Sequence, residues 1–234
     1  VTVSLSSSDT GEGQLSAGQI FFNATNWSTP YTVTVTGQDD TILDGDQSYT
    51  VSATATGSGY TGQSGTVDFI NQDNESAGIT MTATDTTTSE ASTTDTAVFS
   101  VVLDSAPMAD VTVTVTSDDS TEGRVAAPSG GVLTFTSANW ATAQQVTVVG
   151  EDEQELDGSQ TYSITASASG AGYNGASAQS TLTNLDNESA TLYMEQLDAG
   201  TTSESGGQAL YSVYLSAVPS GNVNVLVQSQ DTSE

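Results

Sequence analysis

The stretch Val111-Thr112-Val113-Thr114-Val115-Thr116 decides the fold class of this chain. Side chains alternate across an extended strand with a period of two, so the valines face one side and the threonines the other. Valine and threonine are both enriched in strands. The stretch is therefore typical of a half-buried strand, with valine toward a core and threonine toward solvent.

The same alternation returns on both sides of this stretch, and no segment has a helical stripe. Runs of this kind, separated by Gly, Asp, Asn, Ser and Pro, lie at residues 79–83, 97–103, 132–135, 145–149, 162–168 and 180–185. About seven short strands in about 110 residues predict an all-β fold made of immunoglobulin-like antiparallel sandwiches. The expected inward-facing residues include Phe99, Val101, Leu103, Phe135, Trp140, Val146, Val148, Tyr162 and Ile164.

The chain also repeats itself at the length of a domain. Asn71-Gln-Asp-Asn-Glu-Ser-Ala77 returns as Asn184-Leu-Asp-Asn-Glu-Ser-Ala190, 113 residues later. A period near 110 residues is too long for one solenoid turn and suits units that each bury their own core. The sequence therefore predicts tandem sandwiches.

A second repeated motif gives the phase of this array. Asp9-Thr-Gly-Glu-Gly13 matches Asp119-Ser-Thr-Glu-Gly123, and Asp231-Thr-Ser-Glu234 follows the same pattern. We expect residues 1–75, the leading segment, to be the later part of one repeat. Residues 76–187, the central unit, form a complete repeat, and residues 188–234, the trailing segment, begin the next. This phase predicts an excerpt from a longer array.

Composition removes most function classes. The 234 residues include 29 acidic side chains, one arginine, and no lysine, histidine or cysteine, for a formal charge of −28. Binding nucleic acid or an anionic membrane surface requires rows of cations, and no apolar run reaches the ~20 residues of a membrane helix. We therefore expect neither nucleic-acid binding nor membrane insertion, and no disulfide.

The same inventory predicts that the chain is not an enzyme. Without imidazole, thiol or amine side chains, only carboxylates and hydroxyls remain as reactive groups. A pair of the glycosidase kind could be drawn among Asp152, Glu153 and Asp157. The sequence around them gives no sign of the aromatic-lined cleft that such a reaction needs.

The acidic residues of the central unit gather beside strand ends, and alternate strand ends meet at one pole of a sandwich. Several carboxylates at one pole repel each other unless a cation with oxygen ligands takes up the charge. Calcium accepts six to eight oxygens in tolerant geometry and is the expected cofactor. The alternative is that these acids merely solvate the surface, as in acidic secreted proteins or proteins from salty environments.

The order of these motifs resembles the Calx-β domain, in the tandem form found in large bacterial surface proteins. The resemblance covers the whole chain and rests on Ser89-Glu90, on Thr116-Ser-Asp-Asp119, on Val148-Val-Gly-Glu-Asp-Glu153 followed by Asp157, and on Asn184-Leu-Asp-Asn-Glu188. Glu153 stands where a second Asp is commoner, and Asn187 interrupts the usual acidic triplet. Both departures lower the expected ligand charge.

The resemblance implies a calcium site at the pole that faces the following unit. In the central unit the implied ligands are Glu90, Asp119, Asp152, Glu153, Asp157 and Asp186, with Glu188 from the junction. The matching positions of the leading segment are Asp9, Asp39, Asp40, Asp44, Asp73 and Glu75. The trailing segment offers Glu204 and Asp231.

These observations predict a calcium-stiffened segment of a large secreted or bacterial cell-surface protein, serving as a stalk, an adhesin or an extracellular filament. The expected partners are neighbouring repeats and other copies in a filament or bundle. One alternative is a carbohydrate-binding array that uses Trp27, Trp140, Tyr60 and Tyr173 against surface glycans. Another is a filament subunit completed by strand exchange between chains.

Overall fold

The computed structural model describes residues 1–230, and these contain strands, turns and one short 3-10 helix but no α-helix. The leading segment has seven strands: β1 (Thr2–Ser7), β2 (Gly13–Leu15), β3 (Gln19–Phe21), β4 (Val35–Gly37), β5 (Ile42–Leu43), β6 (Gln47–Thr56) and β7 (Ser64–Asn71). Four of them form an antiparallel sheet in the order β3-β1-β6-β7, and β2 pairs with β4.

The central strands build a sandwich. They are β8 (Ile79–Ala83), β9 (Thr87–Ser89), β10 (Thr96–Leu103), β11 (Ala106–Pro107), β12 (Val111–Ser117), β13 (Gly123–Ala127), β14 (Val132–Phe135), β15 (Gln144–Gly150), β16 (Glu155–Leu156), β17 (Gln160–Ser169) and β18 (Ser177–Leu185), with a 3-10 helix at Ser129–Gly131. One sheet has the order β13-β15-β10-β8 and the other β14-β12-β17-β18-β9. All pairs within them are antiparallel except β9 with β18.

The core lies between these two sheets and follows the alternation read from the sequence. Val111, Val113 and Val115 on β12 are at most 2% exposed, whereas the threonines between them are exposed. Of the expected inward set, every member is buried except Trp140, which is partly buried against the core. The predicted β-sandwich is confirmed, and it has nine strands rather than seven because β9 and β13 are added.

The trailing segment has three strands within the described residues: β19 (Leu192–Gln196), β20 (Tyr211–Leu215) and β21 (Val218–Pro219). β19 and β20 form an antiparallel pair.

Two short parallel pairs, β5 with β11 and β16 with β21, connect successive segments. The segment boundaries after residues 75 and 187 stay a prediction. Nothing among residues 1–230 is a helix with the length and hydrophobicity that a membrane crossing requires.

Candidate metal centre

Two groups of carboxylates lie at one pole of the central sandwich. Glu90, Asp186 and Glu188 form the first, the Glu90 group, and each offers a carboxylate oxygen within 4.8 Å of the others. Glu122, Glu153 and Asp157 form the second, the Glu122 group, and their carboxylate oxygens also lie within 4.8 Å of one another. Oxygen atoms this close are within reach of a single hard cation with oxygen ligands.

The parallel pairing of β9 with β18 positions the Glu90 group. Thr88 lies opposite Asn184 in this ladder, so the residues that follow both strands emerge side by side. The amide of Glu90 donates to the carbonyl of Leu185 at 3.1 Å. Asp186 is held by its own turn, because Oδ1 accepts from the amide of Glu188 at 2.6 Å and Oδ2 from the amide of Gly158 at 2.8 Å.

The ends of β13 and β15 position the Glu122 group. Glu122 directly precedes β13, and its carbonyl accepts from the amide of Glu151 at 3.0 Å, just after β15. Glu153 and Asp157 lie on either side of β16. The loop between β15 and β17 therefore carries two ligand candidates to the pole, where Glu122 meets them.

Asn184 connects the two groups. This residue is fully buried, and its Nδ2 donates to Oε1 of Glu90 at 3.4 Å, to Oε2 of Glu122 at 3.4 Å and to the carbonyl of Glu151 at 3.0 Å. Its Oδ1 accepts from the hydroxyl of Thr88 at 3.0 Å. One neutral amide thus holds a carboxylate from each group in place.

Burial and mutual repulsion disfavour the ionised form of Glu90. Its side chain is 4% exposed, and burial, contact with the Glu188 carboxyl and the charge of Asp186 together raise its pKa to about 7, against a backbone N–H from Asn187 that lowers it. A contact between two carboxyl groups is favourable only when they share a proton or a cation. At neutral pH the ionised form of the Glu90 carboxyl is therefore disfavoured unless a cation is present.

Burial and neighbouring charges also raise pKa values in the Glu122 group. Burial and the nearby charges of Asp157 and Asp119 raise the pKa of Glu122, although the amide of Asn184 opposes them. Burial, followed by the charges of Asp157 and Glu122, also raises the pKa of Glu153. Asp186 differs, because the backbone N–H of Glu188 lowers its pKa.

Each group contains a carboxylate oxygen that is buried and accepts no hydrogen bond. Within residues 1–230, Oε1 of Glu153 and Oε2 of Glu188 have no donor. The single arginine of the chain, Arg124, is ion-paired with Glu151, which belongs to neither group. Buried anionic oxygens without donors are costly, so the arrangement favours an added cation.

The equivalent acids of the leading segment line a cavity of about 20 Å³, but within residues 1–230 only the two central groups bring three carboxylate oxygens within 4.8 Å of one another. Five acidic residues line the cavity, namely Glu12, Asp40, Asp44, Asp73 and Glu75. The rest of the lining is Gln38, Gly45, Asn71, Gln72 and Asn74. This volume suits one water molecule or one ion. The carboxylate of Asp73 accepts from the amides of Gly45 at 2.6 Å and Glu75 at 2.8 Å, as Asp186 does in the central unit.

One carboxyl of the leading segment also has a raised pKa. Contact with the Asp73 side chain, burial and the charges of Asp73 and Asp39 raise the pKa of Glu75. Asn71 takes the place of Asn184, since its Nδ2 donates to Oε2 of Glu12 at 3.1 Å and to the carbonyl of Gln38 at 2.7 Å. The hydrogen bonds of this asparagine and of the aspartate after it therefore recur in both segments.

The other expected ligands lie outside the Glu90 and Glu122 groups. Asp119 and Asp9 each accept the backbone amide two residues ahead, in exposed turns. Oδ1 of Asp152 accepts from Nδ2 of Asn187 at 3.1 Å. Glu204 is exposed in a turn closed by a bridge between Ser203 and Gly207, and Asp231 lies outside the described residues.

Sequence reasoning did not select Glu122, Glu12, Asn184 or Asn71. A signal for the two glutamates was present, because each stands three residues after an aspartate in the repeated motif that ends in Gly13 and Gly123. The aspartate of this motif caps a turn, whereas the glutamate points into the pole. Asn184 and Asn71 open the longest repeated motif, but an amide gives no charge signal.

Comparison with known proteins gives no family. No family model matches the sequence, and no curated protein matches it. Among solved structures, domains 4–9 of the surface layer protein SbsC match with a TM-score of 0.36 and 15% sequence identity. The match covers 91% of this chain, which spans only 27% of that one. A likeness of this degree does not assign a function.

Proposed function

We propose that the chain is a calcium-binding segment of a tandem β-sandwich rod in a large secreted or cell-surface protein, where it serves as a stalk, an adhesin or an extracellular filament. One observation carries the proposal. At the pole of the central unit, the Glu90 group and the Glu122 group each contain a buried carboxylate oxygen that has no hydrogen-bond donor. The chain has a single arginine and no lysine to balance this charge.

The donor set favours calcium over other metals. All candidate ligands are carboxylate, amide or carbonyl oxygens, which suit hard cations rather than zinc or copper. Calcium tolerates irregular sets of six to eight oxygens, whereas magnesium requires near-ideal octahedral geometry. Two groups of three carboxylates joined through Asn184 have room for as many as two ions.

The position of the site supports a structural role. Asp186 and Glu188 lie between β18 and β19, so a cation at the pole ties the end of one sandwich to the start of the following segment. An ion that binds the folded pole but not the unfolded chain stabilises the fold by linkage. The resemblance to tandem Calx-β repeats is in keeping with such a rod.

The geometry of the aromatic rings does not favour the carbohydrate-binding alternative. Tyr173 is fully buried and Trp140 is packed against the core of the central unit, so neither ring forms an exposed stacking platform. Trp27 and Tyr60 are exposed in the leading segment, so the aromatic rings at equivalent positions of the repeat do not form one shared stacking surface.

Calorimetric titration of the chain with calcium, followed by thermal unfolding in calcium and in excess chelator at constant ionic strength, tests the proposal. With a dissociation constant of about 10⁻⁴ M, typical of extracellular modules, a hundredfold excess of calcium stabilises one site by about 2.7 kcal/mol. We expect a melting temperature at least ~5 °C higher in calcium, and a smaller rise in magnesium. No binding heat together with identical melting curves would overturn the proposal.

A further inference from the structure

Successive segments are joined by the same short ladder at both junctions. β5 pairs in parallel with β11, and the amide of Ala106 donates to the carbonyl of Thr41 at 2.7 Å. β16 pairs in parallel with β21, and the amide of Val218 donates to the carbonyl of Gln154 at 2.7 Å. The two junctions therefore have one geometry, set by equivalent residues of the repeat.

Each of the strands β5 and β16 lies inside a loop that carries ligand candidates. In the leading segment β5 is Ile42–Leu43, with Asp40 before it and Asp44 directly after it, and both aspartates line the cavity. In the central unit β16 lies between Glu153 and Asp157 of the Glu122 group. The loop that bears these carboxylates is therefore also the segment that meets the next unit.

A leucine of β5 and a leucine of β16 each reach the next segment. Leu43 is half-buried and packs against the core cluster of the central unit. It lies over Gly172, where a Cβ would be 3.3 Å from Cδ2 of Leu43 and where φ is +84°. Leu156 lines a cavity of about 430 Å³ together with Leu192, Leu215 and Pro219 of the trailing segment.

We infer that β5 and β16 are docking strands that couple cation binding in one unit to the alignment of the next unit. The inference rests on the proposed calcium site and goes beyond it by naming the coupling element. Without a cation, repulsion between the carboxylates on either side of the strand opposes the conformation that docks. A cation that draws these carboxylates together orders the loop and presents the strand to its partner.

Linkage makes this coupling reciprocal. If calcium strengthens docking by some factor, docking strengthens calcium binding by the same factor. Loss of the leucine contact must therefore weaken calcium binding, although the leucine offers no ligand atom. A leucine that only fills space between the segments would leave calcium affinity unchanged.

The absence of cysteine from the chain allows a direct test on residues 1–234. Spin labels on cysteines introduced at Thr66 on β7 and Thr181 on β18, both exposed, report the distance between the leading and central sheets by pulsed electron paramagnetic resonance. We expect one narrow distance distribution in excess calcium and a broad one in chelator. Leu43→Ala should broaden the distribution in calcium and, in calorimetry, weaken calcium binding about 5-fold or more.

Leu15→Ala, which truncates another half-buried leucine of the leading segment away from the junction, is the matched control and should change neither measurement. Ala106→Pro, which removes the amide that donates to Thr41, attacks the same ladder from the central unit and should reproduce the effect of Leu43→Ala. Failure of calcium to bind the parent chain overturns the proposed function, and the inference with it. Binding without any change in the distance distribution, or equal affinity in Leu43→Ala and Leu15→Ala, overturns the inference alone.

Discussion

Nδ2 of Asn184 lies 3.4 Å from Oε1 of Glu90, at the point where the two carboxylate groups of the central pole meet. The same amide nitrogen also reaches Glu122. Because Asn184 has no net charge, it holds two carboxylates near each other without neutralising either of them. The relation explains why a fully buried asparagine stands among acids, and it leads to the first prediction.

Asn184→Asp should destabilise the chain strongly in chelator and much less in calcium. The substitution keeps the size of the side chain but replaces the donor with a buried anion facing Glu90 and Glu122. We expect a loss of about 3 kcal/mol or more without calcium, in the range for an uncompensated buried charge. Chemical denaturation with and without calcium measures the difference. Equal losses in both conditions would contradict a cation at this pole.

The stability of the metal-free chain should fall as the pH rises from about 4.5 to about 7. A carboxyl whose pKa is raised by folding contributes stability that is complete below its unfolded-state pKa and is lost as the pH rises through its folded-state pKa. Glu90 sets this window, because its pKa is raised from 4.5 to about 7. Glu75, Glu122 and Glu153, whose pKa values are also raised, act in the same direction.

The aspartates with lowered pKa values act elsewhere on the pH scale. Asp186 and Asp119 contribute stability that is present above the ordinary value of 3.8 and is lost only at lower pH. We expect the melting temperature in chelator to be about 5 °C higher at pH 5 than at pH 8. Calcium competes with protons for the glutamates, so its stabilising effect should grow over the same window. A chelated chain that gains stability between pH 5 and pH 8 would refute the raised pKa values.

Glu153→Gln and Glu188→Gln should have opposite effects in the two conditions. Each removes the charge from a carboxylate with a buried, unpaired oxygen, so we expect the melting temperature in chelator to rise by about 2–4 °C. In calcium the same variants lose a ligand and should melt below the parent chain. Asp110→Asn, an exposed acid of the same unit, is the charge-matched control. Variants that raise the melting temperature equally in both conditions would point to general charge repulsion.

Gly150→Ala should destabilise the central unit whether or not calcium is present. A Cβ at Gly150 would overlap Oδ1 of Asn184 and lie 3.0 Å from the carbonyl oxygen of Ser89. Overpacking of this kind costs about 1–3 kcal/mol, measured by chemical denaturation. Gly65→Ala, where nothing lies within 4 Å of the added Cβ, is the control and should cost far less. If Gly150→Ala is as stable as the parent chain, the side chain of Asn184 must have room to move away from residue 150.

Residues on β12 and β10 show how far sequence reasoning reaches. The alternation of Val111, Val113 and Val115 predicted both a strand and its buried face, because period-two patterning is a local property of the chain. The strand predicted at residues 97–103 forms as Thr96–Leu103. By contrast, β9 and β13 have short or mixed sequences and were not predicted. They become strands because β18 and β15 offer them free edges.

The sequence by itself determined that this chain is an all-β sandwich with a domain-length repeat and acidic strand ends, because periodicity, repetition and charge are properties of the order of residues. Only the tertiary structure decided which acids meet. It brought Glu122 rather than Asp119 to Glu153 and Asp157, and it set Asn184 between the two groups. It also seated Leu43 on the next unit. These relations depend on contacts between residues far apart in the chain, where loop conformation and burial choose the partner.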